Sequence, residues 1–272
     1  MELIVFDLDG TLLNGKQRIS AYTMETLTLL AERNIAYTVA TGRTLHAALP
    51  CFAGHRFPLP QIYKNGVVIW NPQSQSFSHR NCLTRTEVEE VLEAFVESSL
   101  TPFVMTIDDQ NQQSVYHGPL QSDFDHAFFV ELKDRTHRHV FPLQELPEDG
   151  ITNISTSGKG ELTEKVITQL KNMPHLTAYY GEDMYTPGHF WMDVHHCNAS
   201  KGGAIQLLKQ EHGFERVICF GDGENDVSMF EVADEAYAPA NAADNIKAMA
   251  TEVIGHHDED GIAKFLRKRF NL

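Results

Sequence analysis

Residues 3–11 of the chain read Leu-Ile-Val-Phe-Asp-Leu-Asp-Gly-Thr, an apolar run that ends at two aspartates. A short, unbroken apolar run is typical of a strand that is buried on both faces of a parallel sheet. In open α/β sheets, ligands bind at the carboxyl ends of such strands. The stretch therefore predicts a parallel α/β core that presents Asp7 and Asp9 at the edge where a ligand would bind.

Two other strand-like segments also end in polar residues. Residues 36–40 lead directly into Thr41-Gly42-Arg43, and the apolar residues 217–220 lead into Gly221-Asp222-Gly223. Because the carboxyl ends of parallel strands meet at one edge of a sheet, we expect these polar groups and the two aspartates to converge in one crevice.

The regular alternation of strands and helices stops in the middle of the chain. After the turn signal Asn65-Gly66, the sequence predicts short strands and a helix that begins with a capping box. The alternation returns at Ser200, which fits the N-cap of a helix. We therefore predict an α/β fold: a Rossmann-like parallel-sheet core formed by residues 1–82 plus 190–272, and an inserted α+β cap domain formed by residues 83–189.

The composition argues against polyanionic partners. The formal net charge is −15, so the surface should repel nucleic acid and anionic membranes, both of which bind basic faces. No apolar run approaches the roughly 20 residues that span a bilayer, and the N-terminus lacks the pattern of a secretory signal. The four cysteines form no Cys-x-x-Cys pair, which indicates reduced thiols. We expect a cytoplasmic protein that binds neither nucleic acid nor membrane.

Asp7 and Asp9 have the spacing of a nucleophile and a general acid/base. A carboxylate can attack a phosphoryl group to form an acyl phosphate. A second carboxylate can protonate the leaving oxygen and then take a proton from the attacking water. Two aspartates after a strand can also simply cap a turn, but the full sequence Asp-x-Asp-Gly-Thr-Leu after an apolar strand favours the catalytic interpretation.

Asp222 and Asp226 are candidates for a magnesium site. Mg²⁺ prefers hard oxygen ligands and is usually held by one or two carboxylates together with substrate phosphate. Asp7 and Asp222 can supply these carboxylates, with the backbone carbonyl of Asp9 as a further candidate. Asp226, one helical turn on, is better suited to orient the site than to bind the cation. Taken alone, Gly-Asp-Gly is also a common turn.

Thr41, Gly42 and Lys201 supply groups that phosphate binding requires. Thr41 brings a hydroxyl and, with Gly42, backbone N–H donors ahead of a helix, where the helix dipole favours an anion. Lys201 lies in the first turn of a helix, where its charge opposes the dipole. That position suggests that Lys201 offsets the charge of Asp7 and of phosphate. A lone lysine at such a place is usually solvated, so it counts only in combination.

In combination, these residues resemble the haloacid dehalogenase superfamily of phosphatases. The resemblance is carried by four signatures: Asp7-Leu8-Asp9-Gly10-Thr11, Thr41 in Ala-Thr-Gly-Arg, Lys201, and residues 221–226. The inserted domain resembles, in position and size, the cap of the Cof-like branch.

The resemblance implies a role for each matched residue. Asp7 would be the nucleophile and Asp9 the general acid/base. Phosphate would be bound by Thr41, Gly42, Lys201 and Asn225. Mg²⁺ would be bound by Asp7, the Asp9 carbonyl and Asp222, with Asp226 in support.

We therefore expect Mg²⁺-dependent hydrolysis of a small phosphorylated metabolite, a sugar, nucleotide or cofactor phosphate monoester, through a phospho-aspartyl intermediate on Asp7. A phosphotransferase or phosphomutase that uses the same phospho-Asp7 stays open, because only the acceptor differs. A metabolite-binding regulatory module on the same fold is a further alternative, although a binder has no use for both Asp7 and Asp9. The sequence favours a dehalogenase less, because a dehalogenase does not need Asp9 as an acid for the leaving group. We expect a monomer or a weak homodimer.

Overall fold

The computed structural model describes residues 1–108, 110, 112–136, 139–182 and 187–272, the side chains of 131 and 134–136 excepted. The chain divides into two compact units. We call the unit formed by Met1–His79 and Ser200–Leu272 the core, and the unit formed by Arg80–Ala199 the cap.

Strands and helices are numbered separately along the chain. The strands are β1 (Glu2–Phe6), β2 (Ala36–Val39), β3 (Gln61–Tyr63), β4 (Val68–Asn71), β5 (Ser76–Arg80), β6 (Phe103–Ile107), β7 (Gln113–His117), β8 (His139–Pro142), β9 (Ile151–Lys159), β10 (Leu176–Glu182), β11 (His189–His196), β12 (Arg216–Phe220), β13 (Glu235–Pro239) and β14 (Glu252–Ile254). The α-helices are α1 (Ala21–Glu32), α2 (Leu45–Ala48), α3 (Arg85–Glu97), α4 (Asp123–Thr136), α5 (Gly160–Leu170), α6 (Lys201–His212), α7 (Val227–Val232), α8 (Asp244–Met249) and α9 (Gly261–Phe270). Short 3₁₀ turns lie at Leu49–Phe52, Lys64–Gly66, Leu143–Glu145, Glu224–Asp226 and His257–Glu259.

The core is built on a parallel sheet in the order β14-β13-β12-β1-β2. The interior strand β1 pairs with the central strand β12 from Glu2 opposite Arg216 to Phe6 opposite Phe220, so distant parts of the chain are neighbours within the sheet. The side chains of residues 3–6 are fully buried, as the unbroken apolar run predicts. The predicted parallel-sheet core is confirmed.

A smaller sheet of the core, in the order β3-β4-β5, continues from β2. Ala40 forms a parallel bridge to Ile62, and the N–H of Thr41 donates to the carbonyl of Ile62 at 3.0 Å. These contacts bring the turn after β3 beside the end of β2. The chain at this turn has positive φ at three successive residues, Lys64, Asn65 and Gly66.

The cap is an α+β unit, as predicted. Its sheet has the order β10-β11-β9-β6-β7-β8 and is antiparallel except for the β7–β8 pair. Helices α3 and α5 pack on one face, where Val91 and Val166 lie in the same apolar cluster as Ile154 and Val194 of the sheet. Helix α3 begins with the predicted capping box, in which Thr84 and Glu87 bond each other's backbone N–H.

The division of the chain falls after His79 and after Ala199, whereas the sequence pattern predicts a cap at residues 83–189. The larger difference is at the second boundary, where β11 belongs to the cap. This strand pairs with β9 and β10 along its length, from His189 to His196. Its partner β10 is the preceding strand of the chain, but β9 is more distant, so the local pattern of residues 190–196 does not show that this strand belongs to the sheet of the cap.

Across the residues described, none of the helices combines the length and the apolar character needed to span a membrane.

Candidate active site

Asp7 lies directly after β1, next to the carboxyl end of β12. Its backbone N–H donates to the carbonyl of Phe220 at 2.9 Å, which continues the β1–β12 pairing by one residue. The residue is only 5 % exposed. The parallel pairing of the two strands therefore sets a buried carboxylate beside the segment that carries Asp222.

Lys201 joins two buried carboxylates. Its Nζ donates to Oδ1 of Asp7 and to Oδ1 of Asp226, both at 2.6 Å, and the lysine side chain has no exposed surface. Lys201 begins α6, whose N-cap Ser200 accepts a hydrogen bond from the N–H of Gly203. The lysine is thus held at the start of a capped helix and points into the carboxylates rather than into solvent.

These groups change one another's ionisation. Burial raises the pKa of Asp7 well above its ordinary value, the charge of Lys201 opposes that rise, and the charge of Asp226 adds to it. Burial alone would lower the pKa of Lys201, but the charges of Asp226 and Asp7 raise it above its ordinary value. Lys201 is therefore a permanent cation beside Asp7, and further positive charge at Asp7 would favour its ionised form.

Asp226 fixes the loop that carries Asp222. Its Oδ2 accepts hydrogen bonds from the backbone N–H groups of Asp222 at 2.8 Å and Gly223 at 2.9 Å, while its Oδ1 accepts from Lys201. Asp226 is fully buried. Since both of its oxygens are engaged by the protein, Asp226 is suited to orienting this loop.

Asp222 is the third carboxylate near Asp7 and Asp226, and it contacts the segment that follows β1. Its Oδ1 accepts a hydrogen bond from the hydroxyl of Thr11 at 2.8 Å. Burial raises its pKa, the hydrogen bond from Thr11 lowers it, and the net shift is upward. Gly10 passes so close that a Cβ built on it would lie 2.2 Å from Oδ2 of Asp222, and its φ of +73° also favours glycine.

The three carboxylates form a compact acidic group. One oxygen from each of Asp7, Asp222 and Asp226 lies within 4.8 Å of the others. Hard carboxylate oxygens at this separation are the donor set that Mg²⁺ prefers. The hydrogen bonds described for Asp7 and Asp222 use only Oδ1 of each residue, so Oδ2 of each is available to bind a cation. Asp226 differs, because both of its oxygens accept hydrogen bonds from the protein. The residues therefore fit a divalent cation.

The loop after β2 brings Thr41 and Gly42 to the same edge of the sheet. Thr41 is buried, its hydroxyl accepts from the N–H of Arg43 at 3.1 Å, and its carbonyl accepts from the N–H of Asn65 at 2.9 Å. Asn65 also accepts a hydrogen bond, through Oδ1, from the side-chain amide of Asn225 at 3.0 Å. A Cβ on Gly42 would lie 3.2 Å from this Oδ1. Asn65 thus links the Thr41 loop to Asn225.

Asp9 is held apart from this buried group. Arg43 donates to both of its carboxylate oxygens, from Nε to Oδ2 and from Nη2 to Oδ1, each at 2.6 Å. The Asp9 side chain is 51 % exposed. Asp9 is therefore a carboxylate at the surface whose direction is set by one guanidinium.

Comparison with known proteins identifies the family. The family model of the haloacid dehalogenase-like hydrolases matches residues 4–266 of the chain. The chain belongs to the haloacid dehalogenase-like hydrolases. It is 25% identical over 272 residues to 5-amino-6-(5-phospho-D-ribitylamino)uracil phosphatase YitU of Bacillus subtilis (strain 168), covering 99% of this chain and 98% of that one. It is 26% identical over 267 residues to pyridoxal phosphate phosphatase YbhA of Escherichia coli (strain K12), covering 97% of each.

The fold is also that of solved structures. SMU.1108c from Streptococcus mutans UA159 superposes with a TM-score of 0.80 at 21% identity, covering 99% of each chain. A haloacid dehalogenase-like hydrolase from Bacteroides thetaiotaomicron superposes with a TM-score of 0.77 at 24% identity, again covering 99% of each chain. The likeness therefore includes the core and the cap.

In this haloacid dehalogenase-like hydrolase, the structure brings Asp7, Lys201, Asp222 and Asp226 into direct or near contact. Three residues around them have no role predicted from the sequence, namely Thr11, Arg43 and Asn65. Each has a signal: Thr11 follows the two aspartates, Arg43 follows Thr41-Gly42, and Asn65 belongs to an Asn-Gly turn. Their partners are distant in the sequence, so the local pattern does not reveal the contacts.

Proposed function

We propose that this protein is a phosphatase that hydrolyses the phosphate monoester of a small metabolite. The observation that carries the proposal is the buried ion pair of Asp7 with Lys201, in which the cation lies 2.6 Å from the carboxylate that follows β1. A carboxylate used only for stability gains little from such burial, because desolvation offsets the attraction. For a nucleophile that attacks a phosphate dianion, a neighbouring positive charge reduces the repulsion between the two anions.

The reaction has two steps. In the first, Asp7 attacks phosphorus, the bond between phosphorus and the ester oxygen breaks, and Asp9, which enters the reaction protonated, gives its proton to that oxygen. In the second, water attacks the aspartyl phosphate and gives a proton to Asp9, and the bond between phosphorus and Asp7 breaks. Inorganic phosphate leaves, and both carboxyl groups return to their starting forms.

Mg²⁺ is the cofactor that we assign to the acidic group. Asp7 and Asp222 would hold it through their carboxylates, with the backbone carbonyl of Asp9 as a further ligand. Asp226 would keep the loop in place through the backbone N–H groups of Asp222 and Gly223. When bound, the cation supplies positive charge that offsets the charges of the phosphate and of Asp7.

Four residues would bind the phosphate: Thr41, Gly42, Lys201 and Asn225. Thr41 offers its hydroxyl and Gly42 its backbone N–H at the end of β2, because the N–H of Thr41 already donates to the carbonyl of Ile62. Lys201 offers its charge, and the amide of Asn225 is already oriented by Asn65 at 3.0 Å.

The substrate class rests on the relatives. The phosphatases from Bacillus subtilis and Escherichia coli are named for a phosphorylated ribitylaminouracil and for pyridoxal phosphate. Because they match this chain at nearly equal identity, we propose the shared class, a small phosphorylated metabolite, rather than either compound. The formal net charge of −15 disfavours nucleic acid as a substrate. A cytoplasmic monomer or weak homodimer stays a prediction.

The test is phosphate release from a panel of sugar, nucleotide and cofactor monoesters, with Mg²⁺ and then with EDTA. We expect release that requires Mg²⁺ and is lost in Asp7→Asn by roughly a thousandfold or more. Asp149→Asn, which changes an exposed carboxylate of the cap, is the matched control and should keep wild-type rates. Release by Asp7→Asn at near wild-type rates would refute the nucleophile. If an added sugar speeds turnover and the phosphate is found on that sugar, the protein is a phosphotransferase.

A further inference from the structure

Arg43 uses all of its hydrogen-bond donors within the protein. A guanidinium has five N–H donors and no acceptor. Nε and one Nη2 hydrogen bind the two oxygens of Asp9, and the other Nη2 hydrogen binds Oε1 of Gln17 at 3.2 Å. Nη1 donates to the carbonyl of Ala47 and to Sγ of Cys51, both at 3.2 Å. No N–H of the group is left for a substrate.

The backbone of Arg43 is fixed as well. Its N–H donates to the hydroxyl of Thr41 at 3.1 Å, and its carbonyl accepts from the N–H of Lys64 at 3.0 Å. The side chain is 19 % exposed, compared with 51 % for Asp9. The arginine is therefore a rigid support, and the carboxylate that it holds is the more accessible member of the pair.

A bidentate arginine sets the direction of a carboxylate better than a point charge does. Two parallel N–H···O bonds fix the plane of the carboxylate, whereas an ammonium leaves it free to turn. Each carboxylate oxygen keeps a second lone pair for another partner. Asp9 can thus stay bound to Arg43 while a second lone pair carries the proton that passes to the leaving oxygen, or accepts a proton from the attacking water.

We propose that Arg43 is the positioning residue of Asp9, and that it contributes to turnover only through Asp9. The inference rests on the proposed function, in which Asp9 is the acid/base. It differs from the obvious alternative for an arginine that follows Thr41-Gly42, direct binding of the substrate phosphate. The two roles make different predictions, because a phosphate ligand contributes to substrate binding whereas a positioning residue contributes to the transfer of the proton.

The test is a double-mutant cycle of Arg43→Gln and Asp9→Asn, measured on whichever ester the wild-type protein hydrolyses. We expect Arg43→Gln to lower kcat by roughly 10- to 100-fold, as small misplacement of a catalytic group does, with KM within about threefold of wild type. We expect the double variant to be as slow as Asp9→Asn alone. Additive losses in kcat, or a rise in KM of about tenfold or more, would show that Arg43 acts on the substrate itself.

A second variant separates the effect of the bidentate geometry of Arg43 from the effect of its charge. Arg43→Lys keeps the charge but cannot bind both oxygens in one plane. We therefore expect its kcat to fall nearly as far as that of Arg43→Gln. A wild-type rate in Arg43→Lys would overturn the positioning role. Arg56→Gln, which changes an exposed arginine of the core, is the control for the loss of charge.

Two measurements keep the interpretation separate from folding and from the proposed function. Thermal unfolding of each variant shows whether the contacts to Ala47 and Cys51 are needed for stability, and only variants that are folded at the assay temperature enter the cycle. A wild-type protein that releases no phosphate would refute the proposed function. A working wild type with an additive cycle would refute only the role of Arg43.

Discussion

Lys201 Nζ lies 2.6 Å from Oδ1 of Asp7, although 194 positions separate the two residues in the chain. The same Nζ lies 2.6 Å from Oδ1 of Asp226, and the lysine is fully buried. One cation therefore serves two buried carboxylates. The three residues form a unit in which each charge depends on the others.

Lys201→Met should destabilise the protein strongly. The substitution keeps the volume of the side chain but leaves Asp7 and Asp226 buried without their cation, which costs about 3–5 kcal/mol in comparable cases. Urea unfolding measures the loss. Lys209→Met is the control, because Lys209 pairs with Asp234 at 3.5 Å near the surface and should cost no more than about 1 kcal/mol. An equal loss in both variants would contradict the importance of the buried pair.

Asp222→Asn should weaken Mg²⁺ binding without weakening the fold. Because burial raises the pKa of Asp222, its ionised form is disfavoured in the folded state, and removing the charge should leave the metal-free protein at least as stable at neutral pH. We expect the increase in melting temperature caused by Mg²⁺ to be lost. Glu224→Gln, at an exposed position of the same loop, should keep the increase. An undiminished increase in Asp222→Asn would exclude Asp222 as a ligand.

Gly10→Ala should cost more than the same change at another glycine with positive φ. Gly54 has a φ of +89°, and a Cβ at this position would meet nothing within 4 Å, so Gly54→Ala tests backbone strain alone, about 1–3 kcal/mol. At Gly10 the Cβ would also overlap Oδ2 of Asp222. We expect a larger loss in urea unfolding and a weaker response to Mg²⁺. Equal losses at the two glycines would mean that Asp222 moves aside freely.

Asn65→Ala should raise KM more than it changes kcat. The substitution removes the acceptor that orients the amide of Asn225, and a lost hydrogen bond of about 1 kcal/mol corresponds to a factor of about five. Asn34→Ala is matched for backbone strain, since Asn34 also has a left-handed φ, of 56° against 54° for Asn65. Steady-state kinetics on the best ester gives both constants. A normal KM in Asn65→Ala would contradict the role of Asn225 in phosphate binding.

Much of this fold is predictable because it depends on local patterns. The unbroken apolar run before Asp7 predicts a buried parallel strand, and Ser200 predicts the start of the helix that carries Lys201. Both signals lie within a few residues of the feature that they predict. The convergence of strand ends then follows from a general property of parallel sheets.

The contacts of Arg43 and the end of the cap are not predictable in this way. The partner of Arg43 is Asp9, which follows another strand, and the choice between Asp9 and a phosphate depends on how the guanidinium is held. Strand β11 reads His-Phe-Trp-Met-Asp-Val-His-His, a mixed pattern that fits either unit. Only its pairing with β9 and β10 assigns it to the cap.

The pairing of β1 with β12 has a consequence for synthesis on the ribosome. Residues of β1 leave the ribosome long before residues 216–220, so the side of β1 that pairs with β12 stays unpaired while the entire cap is synthesised, although β2 is available on the other side. The cap, Arg80–Ala199, is continuous and has its own apolar cluster, so it can fold first. Until β12 has been synthesised, the apolar strand β1 is a site of aggregation between nascent chains, and we expect chaperones to bind there.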